Sequence, residues 1–164
     1  MKPARGLALS LTRGARAWAP SRLRMSSWAE RALGRRGMGR EIAVRIVTER
    51  ESKALNKHWR GKDKPTNVLS FPAQTVAATM AKGKRGAPPD EHLPLGDLVV
   101  CAQIVRSEAA RDGKKLEAHW AHMIVHGALH LAGYDHEVGR SERLRMERRE
   151  ITVLKSFGFG NPYT

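Results

Sequence analysis

The stretch EAHWAHMIVHGALHLAGYDH, from Glu117 to His136, decides both the architecture and the chemistry of this 164-residue chain. Together with Leu116, its apolar first part predicts a long buried helix that ends at Leu131. His126 and His130 are four residues apart, so on a helix their imidazoles lie on the same face, about 5–6 Å apart. The helix therefore offers two nitrogen ligands to one shared ion.

The third histidine of this pattern lies beyond the predicted end of the helix. His136 follows His130 by six residues, out of register with the face that carries the pair. Gly133 stands where a left-handed residue would end the helix, a conformation that glycine adopts without steric cost. A turn at Gly133 would bring His136 back as a third ligand. Three neutral donors with a fourth position left to water are typical of catalytic zinc sites.

Two further histidines precede the pair on nearly the same side of the predicted helix, His119 and His122. A lone histidine in a helix more often packs or hydrogen-bonds than binds metal. We therefore interpret these two as packing residues or as hydrogen-bonding partners of the ligands.

The spacing HxxxHxxGxxH is also that of the metzincin zinc proteases, which carry a glutamate general base directly after the first histidine. Here that position is Gly127. A peptidase without this base would be badly impaired unless another carboxylate replaced it. The pattern therefore favours metal binding and argues against proteolysis.

Outside this stretch, the hydrophobic pattern predicts an α/β (α+β) fold with a small sheet. Strands are predicted from residue 41, where Ile42, Val44 and Ile46 alternate with polar neighbours, over residues 67–73 and over residues 96–102. The last of these is nearly all apolar, as expected of a strand buried on both faces. Further helices are predicted over residues 52–59, 104–112 and 141–156, and a loop over residues 74–93.

The charge of the chain is strongly positive, with 30 Lys and Arg against 16 Asp and Glu and a formal net charge of +14. Such a balance favours a polyanionic partner, most often nucleic acid. Residues 1–40 hold ten of the basic residues and one acid, Glu30. Their Arg-rich, acid-poor composition predicts a disordered leader or an organelle transit peptide, which leaves residues 41–164 as the domain.

The remaining composition limits the chemistry. Cys101 is the single cysteine, so a disulfide within the chain and a thiolate metal cluster are both excluded, and any metal site must use His, Asp or Glu. No run approaches the roughly 20 apolar residues of a membrane span, which predicts a soluble protein with no membrane partner.

In these motifs the sequence resembles the YbeY family of zinc-dependent, single-strand-specific endoribonucleases. The similarity runs through RGKDKPTNVLSFP (residues 60–72), LGDLVVC (residues 95–101) and the stretch Glu117 to His136, and so covers nearly all of the chain from about residue 41. It implies a small mixed sheet of about four strands packed with about five helices, including a metzincin-like zinc-binding helix.

The resemblance also implies roles for particular residues. One Zn²⁺ ion would be bound by His126, His130 and His136, and His126 and Arg60 would be catalytic. Position alone would instead indicate that Arg60 is an ordinary exposed arginine. A guanidinium beside the metal would clamp a phosphate or stabilise charge on its oxygens. Asp135, next to the third ligand, is interpreted as a turn contact or a support of the ligands at least as readily as a general base.

The function implied by the resemblance is cleavage of single-stranded RNA in 16S rRNA 3′ end maturation and in late-stage 70S ribosome quality control. The implied partners are single-stranded RNA, the 16S rRNA precursor and the ribosome, with no DNA, in the bacterial cytoplasm, or in an organelle if residues 1–40 are a transit peptide. Two alternatives remain open: an RNA- or ribosome-binding assembly factor with structural zinc, and a zinc peptidase. The loop over residues 74–93, which is longer and more basic than usual for the family, is interpreted as a solvated linker or an RNA contact.

Overall fold

One mixed sheet and a set of helices packed on it form the described part of this protein. A computed structural model describes residues 5–73 and 92–164. Within them the strands are β1 (Ala8–Arg13), β2 (Arg40–Val47), β3 (Val68–Pro72) and β4 (Leu93–Cys101). The α-helices are α1 (Arg22–Leu33), α2 (Glu49–Arg60), α3 (Ala102–Arg111), α4 (Leu116–Leu131) and α5 (Arg140–Ser156), and a 3₁₀ turn spans Gly34–Gly37. The predicted fold class is confirmed.

The sheet has the strand order β1-β2-β4-β3. β1 and β4 both run parallel to β2, whereas β3 runs antiparallel to β4 and forms an edge of the sheet. The predicted burial of the third strand is confirmed, since Leu98, Val100 and Cys101 of β4 are fully buried. This order places β3 at the side of the sheet where the candidate site lies.

The two faces of the sheet bury different amounts of apolar surface. Ile42, Val44 and Ile46 of β2 face the main core, which α1, α4 and α5 cover. A smaller cluster on the other face contains Val47 and Leu69. Burial of each large apolar side chain contributes about 1.5–3 kcal/mol, so the main core carries most of the stability and holds α4 firmly in place.

The prediction that residues 1–40 form a leader outside the domain is wrong for the described residues from Ala8 onward. β1 pairs with β2, and α1 buries its apolar side chains against α4. The buried residues of α1 recur with the helical period, a pattern that the arginine-rich composition of the segment concealed. They are Met25, Trp28, Ala29, Ala32 and Leu33. The domain therefore includes β1 and α1, rather than beginning at residue 41.

The other predicted elements agree with the structure to within a few residues. α2 begins at Glu49, earlier than predicted, because the Thr48 side chain accepts a hydrogen bond from the Glu51 amide and caps the helix. The loop prediction for residues 74–93 falls mostly on residues 74–91, which lie outside the described residues. Across residues 5–73 and 92–164, no helix has the length and apolar character that crossing a bilayer would require.

Candidate metal centre

A glycine cap ends α4 and turns the chain back toward the last turn of the helix. The Tyr134 amide donates to the Leu129 carbonyl at 3.0 Å, and the Gly133 amide donates to the His130 carbonyl at 3.0 Å. This pair of bonds is the Schellman motif. Gly133 has φ +99°, a value that disfavours any residue with a Cβ, so the predicted glycine turn is confirmed.

The segment after the cap is fixed by a local turn. The Asp135 carboxylate accepts a hydrogen bond from the Glu137 amide at 2.8 Å, which is an Asx turn and confirms the predicted turn contact of Asp135. The two turns in succession bring the imidazole of His136 back to the end of α4.

The structure brings the three predicted ligands together. The ring centroids of His126 and His130 are 4.9 Å apart, those of His126 and His136 are 5.2 Å apart, and those of His130 and His136 are 4.8 Å apart. One nitrogen from each ring lies within 4.8 Å of the other two. Three imidazoles at this spacing suit a single divalent ion that prefers nitrogen ligands.

Local electrostatics keep one ligand ready for a metal. Burial, reinforced by repulsion from His126 and His136, lowers the pKa of His130 to about 4. His130 is therefore neutral at pH 7, and a neutral imidazole has a lone pair to donate to a cation. The Nε2 atom of His130 lies 2.8 Å from Nδ1 of His136, so both nitrogens already point at the same space.

A buried carboxylate, Glu150 of α5, organises the deep side of the cluster. It accepts hydrogen bonds from His126 Nδ1 at 2.6 Å, from His122 Nε2 at 3.2 Å and from the Tyr163 hydroxyl. Burial opposes ionisation of Glu150, but the bonds from His122 and His126 outweigh it and lower its pKa to about 2. Because an ionised carboxylate only accepts, His126 carries its proton on Nδ1, which leaves Nε2 free as a ligand atom.

The two additional histidines of α4 have the supporting roles that the sequence predicts. His122 is buried and linked to His126 through Glu150, and burial lowers its pKa. His119 is also buried, with Nε2 3.3 Å from Glu108 Oε1. Neither histidine is part of the group of three that opens on the surface.

A second group of possible ligands, made of His122, His126 and Glu150, lies next to the first and shares His126. Its carboxylate already has a donor on each oxygen, and a cation there would have to displace those hydrogen bonds. In the group of His126, His130 and His136 an ion would displace only the contact between His130 Nε2 and His136 Nδ1 and would leave the bonds of Glu150 intact, so this group is the better candidate site.

Gly127 packs directly against the sheet. A Cβ atom on this residue would lie 2.7 Å from Cδ2 of the fully buried Leu98. The glycine thus lets α4 approach β4 closely. A glutamate at this position, as in the metzincins, would require the buried side chain of Leu98 to move.

The three histidines open on a cleft of about 620 Å³ between β3 and the segment after α4. Arg60, the last residue of α2, lines the same cleft. Its Nη2 atom donates to Glu137 Oε1 at 2.8 Å, one residue from the third histidine. The structure therefore places the predicted arginine in the same cleft as the three histidines, although they are far apart in the sequence.

Sequence reasoning missed Glu150, Tyr163 and Glu137. Glu150 lies in a helix rich in Glu and Arg, and its charge alone does not distinguish it from its neighbours. Its position on the apolar stripe of α5 is the signal that could have found it, since Met146, Val153 and Leu154 share that stripe. A carboxylate on a buried stripe needs partners, and here the partners are histidines.

We expect Glu150→Gln to weaken metal binding by about 10–100-fold, the usual cost of losing a carboxylate that orients a ligand histidine. Glutamine cannot accept from three donors at once, because its amide nitrogen would face one of them. Competition with a chromophoric chelator measures the metal dissociation constant. Glu147→Gln, one turn earlier in the same helix and more exposed, is the control. Unchanged metal affinity in a folded Glu150→Gln protein would contradict this role.

Known proteins resemble this chain in sequence and in fold. Residues 16–158 match the family model for Endoribonuclease YbeY. The chain is 48% identical over 157 residues to the Endoribonuclease YbeY of Halorhodospira halophila, a match that covers 96% of each protein. The solution structure of TM1509 from Thermotoga maritima has a TM-score of 0.53 at 24% identity, over 92% of this chain and 91% of that one. The last similarity concerns the fold alone.

Proposed function

The chain belongs to the YbeY family, and from this premise we propose that it is a zinc-dependent endoribonuclease that hydrolyses phosphodiester bonds in single-stranded RNA. The observation that carries the proposal is the convergence of His126, His130 and His136 in the lining of a cleft that also contains Arg60. In this assignment the three histidines hold one Zn²⁺ ion. His126 and Arg60 are the residues on which catalysis depends most.

The chemistry divides between the metal and the protein. A divalent ion in this site would act as a Lewis acid toward a phosphodiester and lower the pKa of water near it. The residues of the chain position the reactants: the Glu150 carboxylate holds the ring of His126, and Arg60 binds a phosphate oxygen and stabilises its charge. A guanidinium suits this task because it stays charged and donates in a planar fork.

Two features support RNA over peptide as the substrate. The net charge of +14 favours a polyanion. The glutamate base that metzincin proteases use is absent, since Gly127 stands at its position and a Cβ there would crowd Leu98. A purely structural metal is a weaker interpretation, since three histidines that line a cleft of about 620 Å³ leave room for a further ligand.

We assign the activity to 3′ end maturation of the 16S rRNA precursor and to quality control of the 70S ribosome, in the bacterial cytoplasm. This assignment rests on the family resemblance and on the basic charge of the chain. Mapping the 3′ ends of 16S rRNA in cells that lack the protein tests it. Normal mature 3′ ends in those cells would contradict the role in maturation but not the proposed nuclease activity.

Metal removal tests the nuclease itself. We expect the purified protein to cleave a single-stranded oligoribonucleotide and to leave the duplex of the same sequence intact. Chelation should abolish cleavage, and stoichiometric Zn²⁺ should restore it, because the proposed Lewis acid is the ion. Cleavage is followed on gels and metal content by elemental analysis. Cleavage that continues at the original rate in metal-free protein would overturn the proposal.

A further inference from the structure

We propose that Trp59 is a stacking platform for an unpaired base of the RNA, next to the phosphate that Arg60 binds. The inference rests on the proposed function, since it assigns a substrate subsite in the same cleft. Trp59 is 63% exposed, whereas tryptophan side chains are on average highly buried. It lines the cleft together with Arg60 and the three histidines.

Neighbouring rings hold the indole in place. His58 meets it at 4.9 Å between centroids and an interplanar angle of 85°, and Phe71 of β3 meets it at 5.8 Å and 71°. Phe71 packs in turn against the smaller core cluster. The exposed ring is therefore positioned before any ligand arrives, which lowers the entropy cost of stacking on it.

The chemistry of the cleft selects a nucleobase as the occupant. The adjacent Arg60 supplies a cation for a phosphate, and Trp59 supplies a flat aromatic ring, the two features that single-stranded nucleic acid needs. A base within a duplex is already stacked on both faces, so neither face is free to stack on Trp59. Trp59 thus favours single strands over duplexes without requiring any particular base.

Three variants test the platform by steady-state cleavage of a single-stranded oligoribonucleotide. Trp59→Ala should raise KM about tenfold or more, within the range that base–aromatic stacking contributes. Trp59→Phe should restore most of the affinity. Trp18→Ala is the matched control, because Trp18 is 55% exposed but lies outside the cleft lining, and it should leave KM unchanged. The metal content of all three variants should equal that of the parent protein.

A second measurement locates the stacked base. Oligoribonucleotides with one abasic nucleotide at each successive position are compared on the parent protein and on Trp59→Ala. At the stacked position, the abasic change should weaken binding to the parent but not to the variant. Rapid mixing with RNA should also quench indole emission in the parent, and Trp59→Phe should lose that quench.

The outcomes separate this inference from the proposed function. If the parent does not cleave RNA but its emission is quenched through Trp59, the platform stands and the nuclease proposal fails. If the parent cleaves RNA, and Trp59→Ala shows the same KM and the same abasic profile, the platform is overturned while the nuclease stands. A Trp59→Ala protein that keeps its affinity for single-stranded RNA but no longer binds ribosomes would identify the ring as a ribosome contact rather than a base platform, which also overturns the inference.

Discussion

His126→Ala is expected to lower cleavage of single-stranded RNA by more than about 10³-fold, because the proposed Lewis acid that it would help to hold would supply several kcal/mol of transition-state stabilisation. Metal affinity should fall further than in Glu150→Gln, for which a loss of about 10–100-fold is expected, because Glu150 orients a ligand without binding the ion itself. His126 has two roles, since it is one of the three candidate ligands and also donates a hydrogen bond to Glu150. Elemental analysis and single-turnover rates measure the two losses.

The matched control for this change is His92→Ala. The ring of His92 contacts the Gly6 carbonyl at 3.0 Å and lies outside the cleft lining, so its loss should change neither metal content nor rate. A His126→Ala protein that lacks metal but cleaves normally would show that the metal does not serve catalysis. One that retains both metal and activity would show that the three histidines are not the site.

The parts of the site that depend on local geometry can be predicted from the sequence. The four-residue spacing of His126 and His130 defines a helix face, and the glycine at position 133 defines the turn that returns His136. Both are properties of a few consecutive residues. α4 itself has the predicted bounds, because its apolar composition is unusually continuous.

The parts that depend on tertiary contacts could not be predicted from local pattern. Glu150 hydrogen-bonds His126 from a different helix, and nothing near Glu150 in the sequence indicates which helix it packs against. β1 and α1 were concealed for another reason: their arginines lie on the exposed side, and averaging over the segment hid the helical period of the apolar residues. Composition describes a whole segment, whereas burial is decided residue by residue.

Arg60→Ala is expected to reduce the cleavage rate by about 10²–10³-fold, the usual cost of removing a donor aimed at developing negative charge. Metal affinity should stay near the parent value, since Arg60 is not a ligand. Arg60→Lys should recover part of the rate, because a lysine keeps the charge but not the planar fork of donors. Single-turnover cleavage, with metal content measured in parallel, distinguishes these effects.

The ion pair between Arg60 and Glu137 gives the decisive control. Their side chains are 41% and 60% exposed, and exposed pairs contribute only about 0–1 kcal/mol, so a phosphate can displace the carboxylate at little cost. If Arg60 acts on the phosphate, Glu137→Gln frees the guanidinium and should preserve or raise the rate. If Arg60 merely anchors the segment that carries His136, Glu137→Gln should lose as much activity as Arg60→Ala and should also lose metal. Because Glu137 Oε1 also lies 3.9 Å from Nε2 of His136, that second result would remove Arg60 from the catalytic machinery only if Arg60→Ala loses metal as well.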